Sequence, residues 1–161
     1  MSKHWKYLKY VLRHKWYVLI ECWRMGLYRQ GIVHDLSKFN PKSWIVYANH
    51  FYGDRPPAMA ETGYHRRDDT GDSDFDYASQ NHAYTNPHHW EFWGIVNGDG
   101  VWSYQPMTDK YRREMIADWR GAGKAQGKPD TRAWYKANQD KIKLHDETRQ
   151  WVEIELGYQG N

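Results

Sequence analysis

Apolar residues recur at helical spacing over most of the chain. Trp5, Leu8, Val11, Leu12, Trp16, Leu19 and Trp23 predict a first helix over residues 3–25, and Gly26 suits its C-terminal cap. A short element, Leu27 to Val33, leads into His34 and Asp35. Asn40-Pro41 combines an N-cap with a first-turn proline, so a helix is expected from Pro41 to Tyr52, its period carried by Trp44, Tyr47, Ala48 and Phe51. The period then stops. Residues 53–73, with Gly53, Pro56, Pro57, Gly63, Gly71 and mixed Arg and Asp, predict an exposed loop. Asp74 is expected to cap a helix through Tyr84, and Asn86-Pro87 to start another carrying His88, His89, Trp90 and Trp93. Asn97-Gly98-Asp99-Gly100, flanked by Val96 and Val101, predicts a minor β-hairpin near residues 95–104. Thr108 caps a helix from Asp109 to about Arg120, which Gly121 and Gly123 end. Asp130 caps Thr131 to Asn138, and Asp146 opens a last helix through Leu156. The pattern reads as an all-α protein, a single compact bundle of about seven helices spanning the whole chain.

Composition narrows the function. The length of 161 residues suits one domain with a core of ordinary size. Charged residues are 27% of the chain and the net charge is +3, too balanced to favour a nucleic-acid or membrane partner. Cys22 is the only cysteine, which excludes an intrachain disulfide and fits a reducing compartment. No apolar run is long enough to span a bilayer, and Arg13, His14 and Lys15 interrupt any signal-peptide pattern. A soluble, cytoplasmic protein is expected. The ten Trp are read as core packing ahead of a base-stacking platform.

Against this pattern a few polar residues stand out. His14 lies midway along a helix otherwise committed to the core. His34-Asp35-Leu36-Ser37-Lys38 follows a short apolar element, and Asp118 sits within Met115-Ile116-Ala117-Asp118-Trp119. A carboxylate buried in an apolar helix is costly unless it is paired or binds a metal. Imidazole and carboxylate donors together suit a divalent transition metal: Mn, Fe, Zn, Co or Ni.

The order His14, His34-Asp35, Asp118 resembles the HD-domain metal-dependent phosphohydrolase superfamily. The resemblance implies that these four hold one ion. Lys38 matches the lysine of the two-metal subset, which includes cyclic-dinucleotide phosphodiesterases, a bis-nucleoside tetraphosphate hydrolase and di-iron oxygenases. In that subset two further His complete a second site. Here His82 and either His88 or His89 would serve, with His50 as a substitute. Adjacent residues on a helix point about 100° apart, so only one of His88 and His89 is expected to reach a shared ion. The whole chain is also similar to an uncharacterised family of short proteins of bacteriophages and Firmicutes. That likeness is carried by His34-Asp35-Leu36-Ser37-Lys38-Phe39, Asn86-Pro87-His88-His89-Trp90 and Glu114-Met115-Ile116-Ala117-Asp118-Trp119, and it implies no activity. If phage-encoded, the protein would work in the bacterial host cytoplasm.

The expected chemistry follows. One or two ions would activate a water, Asp35 would bridge them, and Lys38 would meet a non-bridging phosphate oxygen. Glu114, one turn before Asp118, would orient or deprotonate that water, or anchor a ligand histidine. Residues 120–128 lack the Lys-Ser/Thr ending of a P-loop and follow no strand, so Arg120 and Lys124 are expected to bind substrate phosphate only as a basic loop. Arg66 and Arg67 read as solvated charge, and Cys22 as buried filler. The leading expectation is a metal-dependent phosphohydrolase acting on a nucleotide or related small phosphoester. The alternatives are a di-iron oxygenase with the same ligands, and a non-catalytic phage accessory or binding protein with a structural metal.

Overall fold

Side-chain caps set most of the helix starts. In the computed structural model, which describes residues 1–54 and 70–158, Ser2 caps α1 (Lys3–Arg24) by accepting from the Trp5 amide at 3.3 Å. α2 (Tyr28–Val33) is a short helix with no side-chain cap. Asn40 caps α3 (Pro41–Tyr52), accepting from the Lys42 amide at 3.0 Å. Asp72, rather than Asp74, caps α4 (Ser73–Thr85) through the Phe75 amide at 3.1 Å. The expected turn at Asn97 joins β1 (Gly94–Val96) to β2 (Trp102–Tyr104). The strands pair antiparallel, with Ile95 opposite Ser103. α5 spans Asp109–Ala125. Asp130 caps α6 (Thr131–Asn138), and the His145 ring, ahead of Asp146, caps α7 (Asp146–Glu155). Among the described residues the fold is therefore seven α-helices and one small hairpin. Most of the expected 53–73 loop, including Arg66 and Arg67, lies outside the described residues.

Three local expectations are corrected. Asn86-Pro87 starts no α-helix. His88 and His89 occupy a turn, and Trp90–Trp93 makes a single 3₁₀ turn closed by the Trp93 indole N–H donating to the Pro87 carbonyl at 2.8 Å. Gly121 and Gly123 do not end α5, which runs on to Ala125. Gly121 is where α5 crosses α1: a Cβ there would lie 2.4 Å from Val18 Cγ2 and 2.8 Å from the Val18 amide nitrogen. A Cβ on Gly123 would meet the Lys128 carbonyl oxygen at 2.5 Å. These glycines serve close approach within a continuing helix. Finally, α1 turns a different face inward from the one its Trp residues suggest. Tyr7, Val11, His14, Val18, Glu21 and Cys22 are buried, while Trp5, Leu12, Trp16 and Trp23 are 49%, 53%, 60% and 50% exposed. His14 and Glu21 dilute the apolar signal of the true core face.

α1 packs chiefly on α5 and also against α2 and α3. Apolar clusters lie on either side of this axis. Tyr7, Val11, Tyr47, Ala48 and Phe75 join α1, α3 and α4. Met115, Ile116, Tyr135, Ile142 and Val152 join α5 to the C-terminal helices. Val18, Cys22 and Ala117 fill the crossing itself. No helix among the described residues is long and apolar enough to cross a membrane.

Candidate metal centre

The crossing of α1 and α5 brings polar side chains into the interior. His14 sits between Val11 and Val18 on the buried face of α1. Glu114 and Asp118 are one turn apart on α5, on the face that also carries Gly121. α2 ends at His34, and the next residue, Asp35, has φ +55° and ψ +26°, the left-handed conformation. Among described residues it is the only non-glycine with positive φ. Asp tolerates this region better than most residues. The sharp turn drives both His34 and Asp35 inward, so that they are buried side by side. His82 comes from the last turn of α4, and His88 and His89 from the turn that follows it.

Asp35 is the hub. His14 Nε2 lies 3.3 Å from Asp35 Oδ2 and 3.3 Å from Asp118 Oδ1. His34 Nε2 lies 3.4 Å from each of the same two oxygens. On the other side of the carboxylate, His82 Nε2 is 3.2 Å and His88 Nε2 3.5 Å from Asp35 Oδ1. His89 joins that second group, its ring centroid 4.8 Å from that of His82 and 4.3 Å from that of His88. Two four-residue donor sets thus share Asp35: His14, His34, Asp35 and Asp118, and Asp35, His82, His88 and His89. Two donors bound tetrahedrally to one ion at about 2.05 Å are ~3.3 Å apart, which is the spacing found here. Moreover, Nε2 of His14, His34, His82 and His88 and Oδ1 of Asp35 are buried without a hydrogen-bond partner, while Oδ2 of Asp35 meets the Lys38 ammonium. Buried polar atoms in proteins are nearly always satisfied, and leaving five unsatisfied in one place is costly. Donor type, spacing and unsatisfied atoms all fit metal ions.

The outer partners point the rings the same way. His34 donates from Nδ1 to Glu114 Oε1 at 3.1 Å, and His88 Nδ1 lies 3.6 Å from the same oxygen. Each ring therefore has Glu114 on its Nδ1 side and Asp35 on its Nε2 side. The glutamate thus stands behind two rings, in the position of an orienting group, and the expectation that it deprotonates water is not met by its placement. Ser37 Oγ and Asn86 Nδ2 lie 3.3 and 3.2 Å from His82 Nδ1.

Charge is concentrated and compensated. Burial opposes ionising Asp35, yet His34, Lys38 and His82 hold its carboxyl well below the usual range. Asp118 is likewise held low against burial, chiefly by His34. His34 is raised despite burial, by Asp35, Asp118 and Glu114. Burial pushes His14 and His82 down, towards the neutral imidazole that ligation requires. Lys38 Nζ sits 2.5 Å from Asp35 Oδ2, and burial notwithstanding, Asp35 and Asp118 keep it charged.

A cavity of about 690 Å³ opens on the cluster at His14, Lys38, His82, His89 and Asp118. Aromatic rings wall it: Tyr7, Tyr47 and Phe75 on one side, Trp90, Trp119 and Trp134 on the other. Lys6, Lys9, Arg13 and Lys128 also line it. The sequence reading did not single out Lys6, Lys9 or Arg13, and it weighed Lys128 only as part of the basic stretch 120–128.

Of the predicted residues, His14, His34, Asp35, Lys38, His82, His88, Glu114 and Asp118 come together. His89 joins them alongside His88, contrary to the expectation that only one would, because the two lie in a turn and the 100° separation of a helix does not apply. Arg120 and Lys124 stay out. Arg120 donates to Glu155 Oε1 at 3.0 Å, Lys124 to Glu21 Oε1 at 2.5 Å, and both line a separate depression with Asp130 and Arg132. α5 continues along the cavity through Ala122, Gly123, Ala125 and Gln126, while Arg120 and Lys124 face the separate depression. His50 is also elsewhere, bonded to Asp72 at 2.9 Å and stacked on Phe75. Cys22 is buried in the helix crossing, and burial pushes its thiol up to about 12, which leaves it inert.

The model of a family of unknown function (DUF5662) matches residues 3–157. No curated protein and no solved structure matches the chain.

Proposed function

The chain belongs to the DUF5662 family, whose function is unknown, and we propose from its side chains that it is a metal-dependent phosphohydrolase of a nucleotide or related small phosphoester. What carries the proposal is Asp35, buried between two sets of donors of which His14, His82, His89 and Asp118 line a cavity large enough for a small molecule. The order His14, His34-Asp35, Asp118, which resembles the HD-domain phosphohydrolases, agrees with it.

His14, His34, Asp35 Oδ2 and Asp118 would hold one divalent ion, and Asp35 Oδ1, His82, His88 and His89 a second. Such ions lower the pKa of bound water towards neutrality and so supply hydroxide at about pH 7. The protein's own groups do the rest. Glu114 fixes the tautomer of His34 by accepting a hydrogen bond from its Nδ1–H, which leaves the Nε2 lone pair free to bind an ion. Lys38 offers its ammonium at the cavity floor, where it meets a non-bridging phosphate oxygen. Water attacks phosphorus, the bond to the ester oxygen breaks, and that oxygen leaves as an alcohol or phosphate. The aromatic walls take the organic part of the substrate, and a base ring stacks on them well. Lys6, Lys9, Arg13 and Lys128 favour an anion at the approach. Because the cavity meets the donors directly, a substrate has access to them, which disfavours a purely structural metal.

The test is phosphate release from nucleotides and from simple aryl phosphates by protein loaded in turn with Mn, Fe, Zn, Co and Ni. Turnover that chelator abolishes is expected, absent in Asp35→Ala and lowered about 100-fold or more in Lys38→Met. Fully metallated protein that releases no phosphate from any of them contradicts the proposal. Two irons with oxygen consumption instead of phosphate release would identify an oxygenase.

A further inference from the structure

One half-buried cation outside the donor sets is tied to them. Lys15 follows His14 on α1, and its Nζ donates to the main-chain carbonyls of His34 and, at 3.4 Å, of Ile32. Both carbonyls belong to the end of α2, where helical backbone leaves oxygens without partners. The chain turns sharply there: His34 ends the helix with φ −50° and ψ 129°, and Asp35 turns into the left-handed region. On its far side the turn is closed by the Lys38 amide donating to the Asp35 carbonyl at 3.0 Å. The nearer side is held by Lys15.

We propose that Lys15 is a positioning residue that locks the His34–Asp35 turn to α1, so that Asp35 keeps one oxygen towards His14 and His34 and the other towards His82 and His88. This rests on the metal-centre reading above. A left-handed aspartate persists only where its surroundings over-determine it. Relaxed to extended backbone, Asp35 would rotate its carboxylate out from between the two histidine groups, although every donor side chain would still be present. Lys15 also fixes distance. Adjacent to His14 in sequence and bonded to His34 in space, it sets the spacing of the α1 donor from the α2 donors. A long flexible amine bound to two carbonyls suits that task, since carbonyl oxygens accept from its several N–H groups at once.

The experiment compares wild type with Lys15→Met, which keeps length but has no donor, and Lys15→Arg, which keeps a donor. Mn²⁺ titration by calorimetry and crystal structures of the metal-free proteins are the two readouts. Lys15→Met should weaken Mn²⁺ binding by about 10- to 100-fold, the usual cost of losing an orienting partner. Its Asp35 should leave the left-handed region. Lys15→Arg should recover most of the affinity. A merely structural lysine would lower melting temperature and leave affinity unchanged. Should the methionine variant not fold, Lys15→Leu, shorter and likewise without a donor, gives the same comparison. Unaltered Mn²⁺ affinity in a folded donor-free variant, or Asp35 still left-handed in its crystal structure, overturns the proposal. Wild type that binds no Mn²⁺ sinks the metal centre instead, and the backbone comparison alone then decides the role of Lys15.

Discussion

Asp35 draws its properties from a single backbone choice. In the left-handed region its side chain leaves the turn on the inner side, where Lys38 and four imidazole nitrogens face it. Glu114 supports that arrangement from behind, sharing one oxygen between His34 and His88. Glu114→Gln keeps a hydrogen-bonding side chain of the same shape but loses its charge and the certainty of an acceptor at Nδ1. Metal affinity is expected to fall about 10- to 100-fold while the fold is retained. Competition titration with a coloured chelator checks this, and unchanged affinity would make Glu114 a bystander. At this scale the sequence was informative where polar residues interrupt apolar runs, as at His14, His34, Asp35 and Asp118, and Glu114 was found by its one-turn spacing from Asp118. It was uninformative for His89, whose role depends on a turn that Asn86-Pro87 made look like a helix start. It misled for Arg120 and Lys124, whose glycine neighbours suggested a loop. Lys15 gave no signal, since a lysine bound to distant carbonyls looks like any surface lysine.

At the scale of elements, the α1–α5 crossing decides where the donors meet. His14 and Asp118 can lie 3.3 Å apart only because the helices nearly touch, and Gly121 permits that contact. Gly121→Ala sets two effects against each other. Alanine favours an interior helix position over glycine by about 1 kcal/mol. The new methyl, however, would meet main-chain atoms of Val18 at 2.8 and 3.0 Å, and overpacking of this kind costs about 1–3 kcal/mol. Backbone cannot swing aside as a side-chain tip can, so the clash prevails. The melting temperature should drop by several degrees, at roughly 2–4 °C per kcal/mol for a chain of this size, and metal affinity should fall with it as α5 shifts. A rise in melting temperature would show that the crossing has slack. Helix starts were readable because they depend on nearby residues, as at Asn40 and Asp130. The inward face of α1 was not, because its core positions include His14 and Glu21 while large Trp side chains mark the outer face.

Across the whole molecule, the packing leaves a cavity with a cluster of donors at its floor, aromatic walls and cations along its lining. No local pattern announces such a space: Tyr7, Phe75, Trp119 and Lys128 are far apart in sequence and meet only through the helix arrangement. The combination is polar where chemistry would occur and apolar where the rest of a ligand would sit. Two donor sets on one carboxylate lead to a stoichiometry that can be measured. Crystals of protein loaded with Mn²⁺ or Zn²⁺ and exposed near the metal's absorption edge should give two anomalous peaks, one on each side of the Asp35 carboxylate. The first should lie within coordination distance of His14, His34 and Asp118, the second within that of His82, His88 and His89. Crystals so loaded that show no anomalous density at Asp35 would contradict the metal centre and, with it, the hydrolase.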